Sequence, residues 1–174
     1  HEGARLRIEP LRMQAMRSSQ AGPVYPDANG TLRITYGHVR GYSPADAIDY
    51  RPQTTVAGVV AKVGEAPFDA PQRLRDAART STRSLWVDPA LGDVPVDFLT
   101  TLDTTGGNSG SATLNAKGEL VGFIFDGNYE AMSADWHFDP AVTRSIHVDI
   151  RYVLWTLESV EAAHWVVEEL GLAE

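Results

Sequence analysis

The sequence predicts a mostly β domain that closes with a C-terminal helix. Apolar and polar residues alternate over 32–36, which is the period of a half-buried strand. Residues 112–127 predict two strands joined by a turn at 115–118, where Gly118 can supply the positive φ of a short hairpin loop. A further strand at 143–150 precedes a segment with a helical stripe of apolar residues. These three observations give the fold class.

Length and composition fit a single globular domain. A chain of 174 residues is long enough to bury roughly two-thirds of the surface that it exposes when unfolded. Hydrophobic residues make up 43% and charged residues 22%, which excludes a disordered chain. A net charge of −8 argues against nucleic acid as a partner, because binding to phosphates needs clustered cations.

Two classes of site are not expected. The chain has no cysteine, so it offers neither a disulfide nor a thiolate metal site, and we expect no metal or other cofactor. No apolar run reaches the roughly 20 residues that span a bilayer, so we expect no membrane span.

The N-terminal half predicts little regular structure. A short helix is expected after Pro10, because proline is tolerated only near the start of a helix. Asn29-Gly30 predicts a turn before the strand at 32–36. Residues 43–99 are rich in Pro, Asp and Ala, and we expect long loops there, even around the apolar run 56–63 and the amphipathic segment 71–81.

The C-terminal segment predicts one closing helix. Asp149 is placed to cap its first turn, and Gly171 is placed to end it. Its apolar stripe comprises Ile150, Val153, Leu154, Leu157, Val160, Val167 and Leu170.

Between the predicted strands lies "DTTGGNSGS", residues 103–111, where Ser109 stands among three glycines. A nucleophilic serine needs such a turn, with backbone N–H groups converging on the oxyanion that forms beside it. The N–H groups of Gly107 and Ser109 would supply that hole, and Asn108 would shape the turn. The alternative is an ordinary loop, and these residues alone favour it because clusters of Gly, Asn and Ser are often turns.

Longer stretches carry a family resemblance. "TGGNSGS", "LNAKGELVGFIFDGNYEAM" and "RSIHVDIRYVLW" resemble the C-terminal part of the bacterial dipeptidyl-peptidases of peptidase family S46. "YPDANGTLRITYGHVRGYSPADA" and "DPALGDVPVDFLTTLDTTGGNSGS" resemble the same family, so the resemblance runs from about Tyr25 to the end. It implies the second six-stranded barrel of a chymotrypsin-like double β-barrel, with a C-terminal helix and a short N-terminal helical remnant. Residues 1–20 would end a helical domain, and residues 21–174 would form the barrel and its closing helix.

The resemblance also implies a function. Enzymes of this family release dipeptides from the free N-terminus of peptides. The resemblance implies that Ser109 is the nucleophile and that the Gly107 N–H lies in the oxyanion hole. Their catalytic histidine and aspartate lie upstream of the serine, and none of the five histidines here, His38 included, stands in a matching motif. We therefore expect the chain alone to be almost inert and to need the missing N-terminal part of the same peptidase.

Further expectations follow from the same resemblance. Oligopeptides with a free N-terminus would be the substrates, a homodimer is a further expected assembly, and the protein would lie in the bacterial periplasm, at the cell surface or outside the cell. The alternative from another class is a non-catalytic peptide-binding or assembly module built on the same barrel.

Two aspartates compete for a role in specificity. Asp103 stands six residues before Ser109, the spacing at which trypsin-like enzymes hold the aspartate that selects Lys or Arg at P1. We favour turn hydrogen bonds to the next two residues as its explanation. Asp126 is implied by the resemblance to bind the substrate's α-ammonium, which a carboxylate does well. A strand-end turn aspartate is the alternative.

Gly127 bears on the expected preference for the P1 side chain. In the S46 resemblance, members that select Asp or Glu have an arginine at this position, so glycine implies an apolar or broad P1 preference. Asn128 is a weaker candidate for substrate binding. A turn glycine that ends a strand is an equally good description of Gly127.

Overall fold

The structure is a computed structural model that describes residues 2–19, 32–64, 66–135 and 137–172. It divides into two compact units, residues 1–34 and 35–174. The turn expected at Asn29-Gly30 lies outside the described residues. The functional assignment of the segments 1–20 and 21–174 stays a prediction.

The first unit contains helix α1, Glu2–Ser19. The prediction of a short helix after Pro10 was wrong in its start, because Pro10 lies inside the helix and not at its first turn. Proline has no backbone N–H, so it removes one hydrogen bond from the ladder. Within the helix, Arg12 Nε donates to Glu9 Oε2 over 3.1 Å.

The strand predicted at 32–36 is absent. Leu32, Ile34 and Tyr36 are exposed to 93%, 86% and 92%, and residues 32–38 are irregular. Among the described residues the first bridge after this segment joins Val39 to Thr100. Alternation of apolar and polar residues produces a strand only where a neighbouring strand takes up the backbone hydrogen bonds, and no ladder reaches this segment.

The second unit is built on a five-stranded antiparallel sheet with accompanying helices, which confirms the coarse fold class. Its strands are β1 (Gln53–Thr55), β2 (Pro95–Thr100), β3 (Ala112–Leu114), β4 (Leu120–Gly127) and β5 (Ser145–Asp149). Their order across the sheet is β1-β2-β5-β4-β3. The register of β5 is set by Phe98 opposite His147 on one side and Ile124 opposite His147 on the other.

The predicted hairpin is confirmed as β3 and β4. Gly118 has a φ of +81°, and its N–H donates to Asn115 O over 3.0 Å. Glycine takes this φ without strain because it lacks a Cβ.

The prediction of long loops over 43–99 was incomplete, because this segment holds two α-helices and the strands β1 and β2. The apolar run forms α2, Val56–Ala61, and the amphipathic segment forms α3, Gln72–Ala78. Val56 packs in the core with Val94, Val96 and Trp155, and such burial stabilises helices that are too short to form alone. The prediction failed because these partners are distant in sequence.

The predicted closing helix is broken into pieces. Helix α4, Ile150–Trp155, continues through a π-helical turn, Thr156–Val160, and α5, His164–Glu169, follows. The break lies at Ala162, whose φ is +51°. The cap at Asp149 is confirmed, because its carboxylate accepts from Arg151 N over 2.9 Å. Gly171, with a φ of +71°, ends α5 as expected.

None of the described helices combines the length and apolar character needed to cross a bilayer.

Candidate active site

Ser109 lies on the connection between β2 and β3, with its side chain exposed. Gly107 and Gly110, close to it on either side, have φ values of +98° and +82°. Residues with a Cβ rarely adopt these φ angles, so the glycines allow the chain to curl around the serine. The local sequence therefore dictates the exposure of the hydroxyl.

Backbone hydrogen bonds fix the shape of this loop. Asn108 N donates to Thr105 O over 3.2 Å, and Asn108 Oδ1 accepts from Thr105 N over 3.0 Å. Gly110 N donates to Ile124 O over 2.7 Å, which ties the loop to β4. Asn108 thus holds the turn through both its main chain and its side chain.

Two amides remain available at the serine. Within the described part of the chain, the N–H groups of Gly107 and Ser109 donate to no acceptor. Unpaired amides that flank an exposed hydroxyl are what an oxyanion site needs, since the donors must be in place before negative charge develops.

A cavity of about 260 Å³ opens beside Ser109. It contains two carboxylates, those of Asp126 and Asp135, and no Lys, Arg or His among the described residues that line it. The wall is formed by the loop that carries Ser109 (residues 102–109, the serine loop), the end of β4, the turn after it and the start of β5. The cavity is therefore a region of negative charge with apolar patches from Ile124, Phe125 and Met132.

A β-bulge in β4 sets the direction of Asp126. Ile124 lies opposite His147, but Asp126 lies opposite Ile146, so Phe125 is an extra residue in the ladder. Without the bulge, Asp126 would share the face of Ile124, because side chains repeat with a period of two. The bulge therefore places Asp126 on the face opposite that of Ile124. Asp126 is exposed, and both residues line the cavity.

Gly127 forms a narrow part of the cavity wall. A Cβ added there would lie 2.9 Å from the Cβ of Ala131 in the 3₁₀ turn Tyr129–Ser133. The turn thus leaves no room for a side chain at position 127 unless it moves. The absence of a side chain at Gly127 keeps this side of the cavity open.

Asn128 also lines the cavity, but it is only 8% exposed. Its Nδ2 donates to Glu130 Oε2 and to Val142 O, both over 2.8 Å. Its Oδ1 accepts from Arg144 N over 2.9 Å. Because these bonds use both amide hydrogens, a direct contact between Asn128 and substrate stays a prediction.

Sequence reasoning missed Asp135. Its Oδ1 accepts a hydrogen bond of 2.6 Å from Thr105 Oγ1, which connects the serine loop to the segment after the 3₁₀ turn. Ser145 was missed as well: its hydroxyl donates to Leu102 O over 2.8 Å and therefore accepts from Thr104 Oγ1 at 2.6 Å. Thr105 and Asp135 are 30 residues apart, so no local pattern signals this contact.

None of the described histidines lines the cavity beside Ser109. His147 is 1% exposed on β5, with Nε2 2.8 Å from Thr100 Oγ1 and Nδ1 2.7 Å from Thr113 Oγ1. Burial lowers its pKa to about 4. His38 is exposed, and its main chain bonds to Thr101. No histidine is found among the described residues of the cavity wall, and His1 lies outside the described part.

Comparison with known proteins identifies relatives of this chain. The family model described as Peptidase S46 matches residues 2–172. An Asp/Glu-specific dipeptidyl-peptidase of Shewanella putrefaciens is 47% identical over 86% of this chain and 24% of its own length. A dipeptidyl-peptidase 7 of Phocaeicola vulgatus is 42% identical over 87% of this chain and 21% of its own.

A solved structure shows the same fold. The crystal structure of Porphyromonas endodontalis DPP11 in complex with the dipeptide Arg-Asp matches with a TM-score of 0.81 at 33% identity. The match covers 90% of this chain and 23% of that one. The chain thus spans about a quarter of the length of the relatives that it matches. Since the family model covers nearly every residue, the chain belongs to peptidase family S46.

Proposed function

We propose that the protein to which this chain belongs is a serine exopeptidase that releases dipeptides from the free N-terminus of peptides. The observation that carries the proposal is the exposed Ser109 hydroxyl with unpaired amides at Gly107 and Ser109. The names of the relatives, which are dipeptidyl-peptidases, support the same reaction.

The reaction assigns two tasks to this chain. Ser109 Oγ attacks the carbonyl carbon of the second substrate residue, and the amides of Gly107 and Ser109 hold the oxyanion of the tetrahedral intermediate. Collapse of the intermediate releases the rest of the peptide as a free amine and leaves the dipeptide as an ester on Ser109. Water then hydrolyses this acyl-enzyme.

Proton transfer belongs to polypeptide outside this chain. The base must take the proton of Ser109 and return it to the leaving amine, and an acid must orient the base. In the family these groups lie upstream, in the first barrel of a chymotrypsin-like pair, and this chain would be the second barrel. Without the base we expect at most ~10³–10⁴-fold acceleration over water, so the chain alone is almost inert.

Asp126 would hold the substrate's N-terminus. Asp126 is exposed and lines the cavity directly after the bulge at Phe125, and its Oδ1 accepts from Gly127 N over 2.8 Å. When the substrate's ammonium pairs with this carboxylate, only the bond after the second residue reaches Ser109. The separation of Asp126 and Ser109 thus sets the length of the released dipeptide.

The P1 preference would be apolar or broad. No cation stands among the described residues of the cavity wall, and Gly127 adds no side chain to it. Two carboxylates in the same cavity would repel an acidic P1 residue. The relatives include both Asp/Glu-specific enzymes and dipeptidyl-peptidases 7, so their names leave P1 open and the cavity supports the apolar choice.

The experiment uses the full-length protein with Ser109→Ala, and Ser111→Ala serves as the matched control. Ser109→Ala is expected to abolish both fluorophosphonate labelling and release of dipeptides with Leu, Phe or Met at P1. Ser111→Ala removes an exposed hydroxyl of the same loop and should retain both. Dipeptide release by Ser109→Ala at the wild-type rate would refute the proposal.

A non-catalytic peptide-binding or assembly module is the second candidate. The lack of a histidine among the described cavity residues favours it for the chain alone. If a fluorophosphonate fails to label Ser109 with and without an added first-barrel fragment, the module is the better description. For the full protein we propose a bacterial periplasmic, surface or secreted location, and a homodimer as its assembly.

A further inference from the structure

A buried arginine, Arg144, lies in the chain between Thr143 and Ser145, which line the cavity. Arg144 is 1% exposed, and among the described residues its guanidinium pairs with no carboxylate. It donates instead to main-chain oxygens from two separate segments of the chain. These are the carbonyl oxygens of Arg40, Gly41, Pro140, Ala141 and Thr143, at 2.6–3.2 Å. One side chain thus fastens residues 40–41 to residues 140–143.

A second set of contacts involves Tyr42, Asn128 and Glu130. Tyr42 Oη donates to Glu130 Oε2 over 2.9 Å, and Asn128 Nδ2 donates to the same oxygen over 2.8 Å. The ring of Tyr42 also lies near the guanidinium of Arg144, whose Cζ is 5.7 Å from the ring centroid. Tyr42 therefore links Arg144 to the turn that follows β4.

The main chain closes this network. Arg144 N donates to Asn128 Oδ1 over 2.9 Å, and Asn128 N donates to Arg144 O over 3.0 Å. Gly127 and Asn128 line the cavity on one side of this pair, and Thr143 and Ser145 line it on the other. The network consequently joins two stretches of the wall, while neither Tyr42 nor Arg144 belongs to the wall itself.

We propose that Tyr42 and Arg144 are positioning residues that set the width of the cavity at Gly127 and so determine which P1 side chains fit. The proposal rests on the function proposed above. The gap between Gly127 and Ala131 is already too small for one methyl group, so a small displacement of Asn128 changes the space available to P1. Tyr42 holds Asn128 through Glu130, because both residues donate to the Glu130 carboxylate. Arg144 holds Asn128 through its own main-chain N–H, which donates to Asn128 Oδ1.

The test compares Tyr42→Phe with Tyr129→Phe in the full-length protein. Tyr42→Phe removes the hydrogen bond to Glu130 but keeps the ring near Arg144. Tyr129→Phe removes the same hydroxyl from a residue of the neighbouring 3₁₀ turn that is 83% exposed. Substrates with Leu and with Ala at P1 are measured separately, and thermal melts establish that each variant is folded.

Tyr42→Phe is expected to lower kcat/KM for the Leu substrate about fivefold, mainly through an increase in KM. A change of this size corresponds to the net free energy of one hydrogen bond. The kcat/KM for the Ala substrate and the rate of fluorophosphonate labelling at Ser109 should change less than about twofold, since neither the Ala side chain nor the fluorophosphonate fills the P1 space. Arg144→Lys, which loses several of the carbonyl contacts, should change the Leu-to-Ala ratio further in the same direction. Tyr129→Phe should match the wild type.

Equal changes for the Leu and Ala substrates, or no change in either, in the folded Tyr42→Phe protein would overturn this inference and leave the proposed function intact. A wild-type protein that neither releases dipeptides nor reacts with the fluorophosphonate would overturn the proposed function itself, and the inference with it.

Discussion

A Cβ atom at position 127 would come within 2.9 Å of the Cβ of Ala131. Saturated carbons pack at about 3.5–4.0 Å, so the turn that carries Ala131 must move if position 127 gains a methyl group. We predict that Gly127→Ala lowers the free energy of unfolding by about 1–3 kcal/mol, the usual cost of overpacking. Urea unfolding of the 174-residue chain measures it.

Two further variants make this prediction specific. Ala131→Gly added to Gly127→Ala should recover most of the loss, because it removes the contacting methyl group. Gly58→Ala is the control: Gly58 lies exposed in α2 with open space around it, and alanine there should stabilise by about 1 kcal/mol. A Gly127→Ala chain as stable as the wild type would show that the turn yields freely.

His147 should make the fold sensitive to acid. Burial lowers its pKa to about 4 from an ordinary value of 6.5, so the unfolded chain binds a proton at a pH where the folded chain does not. The stability that its neutral form contributes is complete above pH ~6.5 and is lost as the pH falls towards ~4. The loss is about 3 kcal/mol.

The measurement is the free energy of unfolding between pH 7 and pH 4.5. His147→Gln keeps a donor and an acceptor between Thr100 and Thr113 but cannot titrate, so it should flatten this part of the profile even though it lowers stability at pH 7. An unchanged slope would mean that His147 is not the responsible group.

Asp97 should act in the opposite direction. Burial, with a smaller contribution from the charge of Asp149, raises its pKa to about 6. The folded chain therefore holds this proton more tightly, and the stability gained from it is complete below pH ~3.8 and lost as the pH rises through ~6. Asp97→Asn should stabilise the chain by about 1–2 kcal/mol at pH 7, a value discounted for partial solvent screening.

The same substitution should have little effect at pH 4, where the carboxyl group is already protonated in the folded chain. Asp69→Asn, at an exposed site, is the control and should stay within about 0.5 kcal/mol at both pH values. Chemical denaturation at pH 4 and pH 7 decides the matter, and an equal gain at both would contradict a pKa origin.

Local sequence signals predicted the parts of the fold that depend on local chemistry. Gly118 gave the hairpin, Asp149 gave the helix cap and Gly171 gave the helix end, because each acts on its own backbone neighbours. The placement of Ser109 on a tight exposed loop also follows from the glycines at 107 and 110.

Features that depend on distant partners were not predictable in the same way. The bond from Thr105 to Asp135 and the packing of Val56 against Val94 join residues far apart in sequence. The alternation at 32–36 misled, since Leu32 and Tyr36 lack a partner strand among the described residues. Periodicity gives the preference of a segment, whereas pairing decides its structure.

The hairpin edge of the sheet should drive self-association of the isolated chain. Strand β3 is at the end of the sheet order, and its Leu114 pairs with Leu120, with 58% and 40% of these residues exposed. An apolar edge strand with free backbone groups is a template for a second chain. We predict a concentration-dependent rise in mass by analytical ultracentrifugation, which Leu114→Lys should suppress because a charged side chain opposes edge pairing. Leu85→Lys, at a site 72% exposed and outside the strands, should leave the association unchanged. Association that persists equally in both variants would place the contact on another surface.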